Sequence, residues 1–220
     1  MTSKGIDFTL YLVTDRRWLG KRSLWVGVEE AIRGGVTIVQ LREKDISSKE
    51  YLEIAKRVKE VTDRHGIPLI INDRTDIAFA CDAAGVHLGP DDLPVPIARK
   101  ILGRKKMIGA SADSLEEALM LEAQGVDYLG VGAVFPTGTK TDAGRITLEE
   151  LAGIKAAVTI PVVAIGGINA ENAATAVKTG VDGVAVVSAI MAPREITTAA
   201  REIFDVITRA RIQGDFEGLS

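Results

Sequence analysis

Short apolar runs alternate with amphipathic helical patterns along most of the chain. Between residues 51 and 62, for example, apolar side chains recur every three or four positions and charged side chains occupy the opposite face. The apolar runs are typical of buried strands and lie at about 9–14, 36–42, 68–72, 85–88, 106–111, 127–134, 161–165 and 182–187. Eight strands, each followed by a helical segment, predict an α/β fold that closes into a (β/α)₈ TIM barrel.

A glycine followed by valine recurs where a helical pattern ends and an apolar run begins. The glycines of this repeated phrase are Gly35, Gly85, Gly125 and Gly180. Glycine suits the left-handed residue just past a helix, and valine suits a strand that is buried on both faces. Each phrase therefore predicts a junction from a helix to a strand.

Three helix starts have the spacing of a capping box, in which a hydroxyl and a carboxylate satisfy the first free N–H groups reciprocally. The pairs are Ser47 with Glu50, Ser114 with Glu117, and Thr147 with Glu150. These signals predict where three of the helices begin between the predicted strands.

The length and composition favour one domain. A chain of 220 residues with 46% hydrophobic content can bury a single large core, so we expect residues 1–220 to form one barrel with short flexible termini. An open, doubly wound sheet is the alternative fold. That fold more often shows a glycine-rich dinucleotide fingerprint after its first strand, and no G-x-G-x-x-G motif follows residues 10–14.

Charge and cysteine content exclude several classes of partner. The 27 basic and 30 acidic residues give a net charge of −3, so we expect no nucleic acid as a partner. Residues 1–8 lack the apolar core of a signal peptide, and no apolar run approaches the roughly 20 residues that span a bilayer, so we expect no membrane association. The single cysteine, Cys81, suits a reducing compartment, and the expected location is the cytoplasm.

Polar residues follow most of the predicted strands, and in an α/β barrel the active site lies at these C-terminal strand ends. They are Gln40 to Lys44 after the second strand, Asn72 and Asp73 after the third, His87 to Asp92 at the fourth, Ser111 at the fifth, Pro136 to Lys140 after the sixth, Gly166 to Ile168 after the seventh, and Val187 with Ser188 after the eighth. The strand ends therefore predict one site.

One part of this set combines cations with carboxylates. Arg42 and Lys44 lie two residues apart on the same face of an extended segment, and Asp73 and Asp92 follow the next two strands. This mixture suits a pyrophosphate group with Mg²⁺, which typically takes one or two protein carboxylates together with phosphate oxygens. The alternative is that Asp73, and Asp91 or Asp92, cap the helices that follow.

A second part suits a phosphate held by backbone N–H groups. Gly166 and Gly167 end the seventh strand and Val187 and Ser188 end the eighth, where barrels of this class frequently bind phosphate. A tight turn is the alternative for the glycine pair. The loop 136–140, with two threonines, a glycine and Lys140, also suits a phosphorylated ligand, although an ordinary surface loop has the same composition.

The histidines and the cysteine show no spacing that indicates catalysis. His65 and His87 have no partner spacing typical of a metal triad or a nucleophile dyad, so we expect structural roles for both. Cys81 has no activating histidine or lysine nearby in sequence and is expected to be a small buried apolar residue.

Taken together, the strand-end motifs closely resemble those of the thiamine phosphate synthase family. The motifs are residues 10–15 (LYLVTD), 40–44 (QLREK), 72–73 (ND), 87–89 (HLG) with Asp92, Ser111, 136–140 (PTGTK), 166–168 (GGI) and 187–190 (VSAI). Two positions depart from the family pattern, because Pro90 stands where glutamine is usual and Ala133 where proline is usual. Both departures concern loop shape.

The resemblance implies a transferase that joins 4-amino-2-methyl-5-(diphosphooxymethyl)pyrimidine to a thiazole phosphate, forming thiamine phosphate and pyrophosphate. It implies that Gln40, Leu41, Arg42, Glu43, Lys44 and Asn72 bind the pyrimidine diphosphate, that Asp73 and Asp92 hold Mg²⁺, and that Ser111 and Lys140 contact the diphosphate. It further implies that Thr137, Gly138, Thr139, Gly167, Val187 and Ser188 bind the thiazole phosphate. Arg42, Lys44, Ser111 and Lys140 would then be catalytic, because they would stabilise charge on the departing diphosphate.

Two other functions compete with this interpretation. A related thiazole tautomerase would need the thiazole phosphate end but not the charged set around Asp73. A non-catalytic barrel that senses a phosphorylated metabolite would keep Gly167 and Ser188 without the full set of charges. Sequence alone leaves the oligomeric state open, and a homodimer is the assembly we consider.

Overall fold

The computed structural model describes residues 5–136 and 146–217. Within these ranges, eight parallel strands close into a barrel in sequence order, and β8 pairs with β1. The strands are β1 (Leu10–Val13), β2 (Ile38–Leu41), β3 (Leu69–Asn72), β4 (Gly85–Leu88), β5 (Met107–Ala112), β6 (Tyr128–Val131), β7 (Val162–Ile165) and β8 (Gly183–Val186). The predicted (β/α)₈ barrel is therefore confirmed.

Helices surround the barrel, and a 3₁₀ helix (Arg16–Trp18) follows β1. The α-helices are α1 (Leu24–Arg33), α2 (Ser48–Arg64), α3 (Thr75–Ala80), α4 (Val95–Leu102), α5 (Leu115–Ala123), α6 (Leu148–Ala157), α7 (Ala173–Val177), α8 (Ser188–Met191) and α9 (Ile196–Glu217). None of the helices in the described part of the chain is long and apolar enough to cross a membrane.

The sixth strand is shorter than its apolar run suggested. The run continues to residue 134, but β6 ends at Val131. Gly132 then passes so close to the carbonyl of Ile165 that a Cβ at this position would overlap it. The chain beyond still bonds to the end of β7, because the Val134 N–H donates to Ile165 O at 3.0 Å.

The glycine phrases predicted the junctions correctly at three of four positions. The backbone angle φ is +111° at Gly35, +86° at Gly125 and +90° at Gly180. Gly85 is different, because it lies inside β4, where its missing side chain lets the Met107 carbonyl approach. Asp82, with φ of +54°, takes the left-handed conformation after α3 instead.

The capping signals were correct in position and partly correct in chemistry. Thr147 and Glu150 form the complete reciprocal box, with N–H to oxygen distances of 3.1 and 2.8 Å. Ser47 and Ser114 each accept a hydrogen bond at 3.2 Å from the N–H three residues later. The carboxylate of Glu117 accepts instead from the Asp113 N–H at 2.9 Å. The reciprocal bond from the Ser114 N–H to Glu117, expected for a capping box, is therefore replaced.

The buried side chains form two layers. The larger layer lies between the strands and the helices, and the smaller one fills the barrel interior. The interior layer consists of Phe8, Tyr11, Val13, Ile38, Ile70, Met107, Tyr128, Val163 and Ala185. Two of its members are tyrosines, so the interior carries hydroxyl groups that must be hydrogen-bonded.

The last helix packs against α1, α7 and α8 in the outer layer of the barrel. Its Ala200 packs against Gly34, where a Cβ would lie 2.5 Å from the alanine methyl. The Arg211 guanidinium donates to Thr9 Oγ1 at 2.6 Å and also to the Asp182 carbonyl. Because Thr9 precedes β1 and Asp182 precedes β8, this arginine joins the first and last strands of the barrel.

Candidate active site

Strand alternation separates the residues of the second strand end into two groups. Gln40, Arg42 and Lys44 share the face that points into the barrel mouth, whereas Leu41 and Glu43 share the opposite face. Leu41 is fully buried in the outer apolar layer. The Glu43 carboxylate pairs with Arg16 at 2.6 Å and is 2% exposed, while Arg16 is 43% exposed. The side chains of Leu41 and Glu43 therefore do not join the other predicted site residues.

Burial governs the electrostatics of Glu43. It raises the pKa of this carboxyl, and the Arg16 guanidinium opposes the rise without cancelling it. One carboxylate oxygen, Oε1, has no hydrogen-bond partner. The pair ties the loop after β1 to the end of β2, which is a structural role.

Lys44, Asp73 and Asp92 come together at the ends of β2, β3 and β4. Lys44 Nζ lies 2.5 Å from Asp73 Oδ2. The Asp73 carboxyl is also in hydrogen-bond contact with that of Asp92, whose Oδ2 accepts from the Gly89 N–H at 2.7 Å. Three strand ends thus place a cation and two carboxylates in one cluster.

The two carboxyl groups of this cluster titrate differently. Burial works against ionisation of Asp73, but the hydrogen bonds from Lys44 and Asp92 outweigh it and lower its pKa. Burial and the adjacent Asp73 carboxylate raise the pKa of Asp92 to about 6, although the Gly89 N–H opposes the rise. Two carboxylates in contact favour a bound cation, because like charges at this range disfavour joint ionisation.

Neither carboxylate caps the helix that follows it. The N-cap of α3 is Arg74 and that of α4 is Pro94. Asp73 has a φ of +65°, a left-handed conformation that costs free energy for a residue with a side chain. The capping alternative therefore does not explain either aspartate.

Arg42 is held at its backbone and lies beside a buried carboxylate. Its N–H donates to Thr14 Oγ1 at 3.0 Å, and its guanidinium is 3.9 Å from Asp15 Oδ2. Asp15 is bound mainly by Arg17, at 2.5 Å to Nη2. Burial of Asp15 opposes ionisation, but the Arg17 hydrogen bonds lower its pKa overall. Arg42 is 18% exposed and keeps donors for a ligand.

The sequence interpretation missed a set of polar residues inside the barrel. His87 Nε2 lies 3.1 Å from Ser111 Oγ, and its Nδ1 lies 3.1 Å from Tyr128 Oη. Tyr128 Oη is 2.7 Å from Tyr11 Oη, which accepts from Gln40 Nε2 at 3.1 Å. The sequence did contain a signal for these residues. Strand alternation points the side chains of both tyrosines into the barrel, where each places a hydroxyl group in an otherwise apolar layer.

The predicted phosphate region lies at the ends of β7 and β8. Gly167 has a φ of +64°, and a Cβ there would lie 2.8 Å from Phe135 O and closer still to Pro136 O. Its carbonyl accepts from the Asn172 side chain at 2.9 Å. Ser188 is the first residue of α8, directly after Val187.

Four of the predicted residues, Thr137, Gly138, Thr139 and Lys140, lie outside the described residues. Their roles therefore stay predictions from the sequence. Asn72 is placed at the end of β3, where its side chain is buried and its carbonyl accepts from the Tyr51 hydroxyl at 3.2 Å.

The donor set suits a metal ion that needs few protein ligands. Within residues 5–136 and 146–217 there is no group of three or more histidine, cysteine, aspartate or glutamate side chains that could hold a metal. A pair of carboxylates at the open end of a barrel fits Mg²⁺, which keeps water and substrate oxygens as its other ligands. Cys81 is buried, and burial raises the pKa of its thiol, as expected for a structural residue.

Comparison with known proteins identifies the family of the chain. The sequence profile of the family described as "Thiamine monophosphate synthase" matches residues 10–190. The chain belongs to this family. A thiamine-phosphate synthase from Clostridium acetobutylicum is 53% identical over 206 residues, covering 94% of this chain and 98% of the relative. One from Clostridium beijerinckii is 54% identical over 198 residues, covering 90% and 95%.

A solved structure of a family member extends the agreement to three dimensions. Thiamine phosphate pyrophosphorylase from Pyrococcus furiosus superposes with a TM-score of 0.87 at 44% identity, covering 93% of this chain and 98% of that chain. The family resemblance and the enzyme class expected from the motifs are therefore confirmed. As a member of the thiamine monophosphate synthase family, the chain is a transferase.

Proposed function

We propose that this chain joins 4-amino-2-methyl-5-(diphosphooxymethyl)pyrimidine to 4-methyl-5-(2-phosphooxyethyl)thiazole. The products are thiamine phosphate and pyrophosphate. The observation that carries the proposal is the convergence of Lys44, Asp73 and Asp92 from three strands at the barrel mouth. This charged cluster suits a diphosphate leaving group, and the family relatives are named for thiamine phosphate synthesis.

The proposed reaction begins with departure of the diphosphate. The bond between the pyrimidine methylene carbon and the diphosphate oxygen breaks, and its electron pair leaves with the oxygen. The ring amino group stabilises the resulting cation, and the thiazole nitrogen then donates its lone pair to form the new C–N bond. No protein nucleophile is required, which is consistent with the buried, unactivated state of Cys81.

The side chains at the mouth would act by electrostatic stabilisation. Negative charge grows on the diphosphate as the bond breaks, and preorganised cations and N–H or O–H donors stabilise such growing charge. Arg42 and Lys44 would supply positive charge, and Ser111 would supply a hydroxyl donor. Lys140 is proposed for the same task from the sequence. Exclusion of water would protect the cation until the thiazole nitrogen captures it.

Mg²⁺ would be held by Asp73 and Asp92. A bound Mg²⁺ neutralises phosphate charge and orients the diphosphate. The contact between the two carboxyl groups, with Asp92 raised in pKa by burial and by Asp73, supports this assignment. Lys44 contacts the same carboxylate and would remain next to the diphosphate.

The thiazole phosphate would bind at the ends of β7 and β8. Gly167 has no side chain where a side chain would collide with the segment before Thr137, so this segment packs directly on the end of β7. Val187 and Ser188 lie at the adjacent strand end, and barrel enzymes frequently hold phosphate at this place. The loop residues Thr137 to Thr139 are proposed as further contacts from the sequence alone.

A homodimer is the proposed assembly. Apolar side chains on the outer faces of α4 and α5 are exposed, including Ile101 (43%) and Leu119 (44%). Exposed apolar side chains of this kind are typical of subunit contacts. Light scattering during gel filtration would test the proposal, and a mass of 23.5 kDa would contradict it.

The deciding experiment supplies both substrates and measures thiamine phosphate and pyrophosphate in parallel. We expect equal amounts of the two products with Mg²⁺ and none with excess chelator, while circular dichroism remains unchanged in both. Product formation at full rate in chelator would contradict the metal assignment. Binding of the thiazole phosphate without any pyrophosphate release would favour a tautomerase or a sensor.

A further inference from the structure

A chain of hydrogen-bonded side chains crosses the barrel interior below the proposed site. It begins at Gln40 on β2, passes through Tyr11 on β1 and Tyr128 on β6, and continues through His87 on β4 to Ser111 on β5. Gln40 and Ser111 lie at the mouth, on different sides of it. The three residues between them lie deeper and have no role in the proposed mechanism.

Both tyrosines are fully buried and keep their protons. Burial raises the pKa of Tyr11, and it raises that of Tyr128 well above the ordinary value. Each phenol therefore brings one O–H group to the chain, and each lies between two neighbours in that chain. A buried phenol that donates to one neighbour must accept from the other.

Counting protons leaves two arrangements when the imidazole is neutral. If His87 carries its proton on Nε2, it donates to Ser111 and accepts from Tyr128, so Tyr128 accepts from Tyr11 and Tyr11 accepts from Gln40. If the proton is on Nδ1, every donor and acceptor is reversed: Ser111 donates to His87, and the Gln40 amide must be turned so that its Oε1 accepts from Tyr11. The tautomer of one histidine thus sets the hydrogen-bond direction at both ends.

Only the first arrangement suits the proposed substrate at both ends. With its Nε2 donating to Tyr11, Gln40 keeps Oε1 and a second N–H for the aminopyrimidine edge, which offers a donor beside an acceptor. Ser111 accepts from His87 and keeps its O–H for a diphosphate oxygen, which can only accept. In the reversed arrangement the Ser111 proton is already used.

We propose that Tyr11, Tyr128 and His87 are positioning residues that hold Gln40 and Ser111 in the hydrogen-bonding states required by the pyrimidine diphosphate. They act through these two residues and do not contact the reacting atoms. The proposal rests on the proposed function. It adds that one buried chain couples recognition of the pyrimidine ring to stabilisation of the leaving group.

The barrel makes room for this chain with glycines at inward positions. A Cβ on Gly109 would overlap the Tyr128 ring, including its hydroxyl end. A Cβ on Gly130 would lie 3.1 Å from His87 Cε1. The neighbouring strands thus leave space for the phenol and the imidazole that the chain requires.

The kinetic test uses Tyr128→Phe, which keeps the ring and removes the hydroxyl, in the native and Ser111→Ala backgrounds. In the native background we expect a loss of about 5- to 20-fold in kcat/KM for the pyrimidine diphosphate, as for one neutral hydrogen bond. In the Ser111→Ala background we expect a smaller further loss, because only the Gln40 end can still respond to the change. Equal losses in both backgrounds would overturn the proposal.

Tyr51→Phe is the matched control. Its hydroxyl is also buried, but it donates to the carbonyls of Leu41 and Asn72 and takes no part in the hydrogen-bonded series from Gln40 to Ser111. Its effect should be the same in the native and Ser111→Ala backgrounds. If Tyr128→Phe does not fold, Tyr11→Phe breaks the adjacent link and carries the same expectation.

A second readout needs no turnover and so distinguishes this proposal from the proposed function. The protein has two histidines, so ¹⁵N NMR at alkaline pH resolves both. His65, on the surface, serves as an internal reference. We expect His87 to be the Nε2–H tautomer and to gain Nδ1–H population in Tyr128→Phe, with His65 unchanged. An Nδ1–H tautomer in the native protein, or no change in the variant, would overturn the proposal.

Discussion

The two ends of the barrel mouth bind their proposed ligands by different means. At the ends of β2 to β4, Lys44, Asp73 and Asp92 present ionisable side chains that contact one another. At the ends of β7 and β8, the recognisable features are Gly167, which has no side chain, and Ser188 at the start of a short helix. Charge is concentrated at the end where the proposed bond breaks.

This difference separates binding from catalysis. A phosphate that does not react can be held by fixed backbone N–H groups, because its charge is the same before and after the reaction. A leaving diphosphate gains charge in the transition state, so cationic side chains and a metal site are more useful there. Substitutions at the two ends should therefore affect different kinetic constants.

The largest effect is expected at Lys140, in the loop that follows β6 and so lies between β4 and β7 in sequence. Lys140→Ala should lower kcat by about 10²-fold or more, which corresponds to roughly 3 kcal/mol for one preorganised group. Lys140→Arg should recover little, because a planar guanidinium does not reproduce a compact ammonium. Rapid-quench measurement of pyrophosphate release gives the chemical step. A native rate in the alanine variant would place Lys140 outside the catalytic set.

Asp73→Asn tests the charged end. Asparagine tolerates the left-handed backbone as well as aspartate does, so the change removes charge and not shape. We expect kcat/KM for the pyrimidine diphosphate to fall by roughly 30- to 100-fold and the Mg²⁺ concentration for half-maximal activity to rise.

Asp76→Asn provides the matched control for this substitution. Asp76 is an exposed carboxylate three residues away that pairs with Arg74 at 2.5 Å. It lies outside the proposed site, so its Mg²⁺ dependence should match that of the native protein. Identical Mg²⁺ dependence in the Asp73 variant would remove the metal assignment.

Gly167→Ala tests the other end. The methyl group would collide with the Phe135 and Pro136 carbonyls, and a φ of +64° is strained for alanine. We expect KM for the thiazole phosphate to rise about 10-fold, with an unchanged Mg²⁺ requirement. Gly153→Ala is the control, because this helical glycine faces open space. A selective rise in KM for the pyrimidine substrate would mean that the two ends are exchanged.

The smallest effect is expected at Glu43. Because its side chain pairs with Arg16 on the outward face, Glu43→Gln should leave both KM values and kcat within about 2-fold, whereas Arg42→Gln should not. A loss comparable with that of Arg42→Gln would show that Glu43 contacts the substrate.

The stability of Glu43→Gln has a predicted sign. The folded-state pKa of Glu43 is raised, so any stability that it contributes is present at low pH and is lost as pH rises through that pKa. At neutral pH the uncharged glutamine should therefore leave stability unchanged or raise it, by less than about 1 kcal/mol. Urea unfolding at acidic and neutral pH would measure this, and a marked loss at neutral pH would contradict it.

The fold was predictable because its signals are local and repeated. Helix starts such as Thr147 and helix ends such as Gly125 mark the alternation directly, and eight alternating units leave few architectures. The misplaced glycine, Gly85, shows the limit of local signals. This position requires glycine because the Met107 carbonyl on the neighbouring strand leaves no room for a side chain. The sequence near Gly85 does not include Met107 and so cannot indicate this contact.

The candidate site was predictable where strand ends carry charge and unpredictable inside the barrel. Lys44, Asp73 and Asp92 follow three successive strands, so the barrel rule alone brings them together. His87 appeared structural because its partners, Tyr128 and Ser111, lie 41 and 24 residues away on other strands. Hydrogen bonds between strands depend on register, which the pattern of apolar residues does not specify.

The bond between Arg211 and the first strand has a consequence for synthesis of the chain. The first strand pairs with the eighth, and the arginine that joins them lies 202 residues after Thr9. At roughly 5–20 residues per second, a ribosome needs roughly 10–40 s to make the stretch between these two residues. Throughout that time one edge of β1 lacks its partner, and unpaired edges promote aggregation. The nascent polypeptide therefore exposes this edge of β1 until β8 has been made.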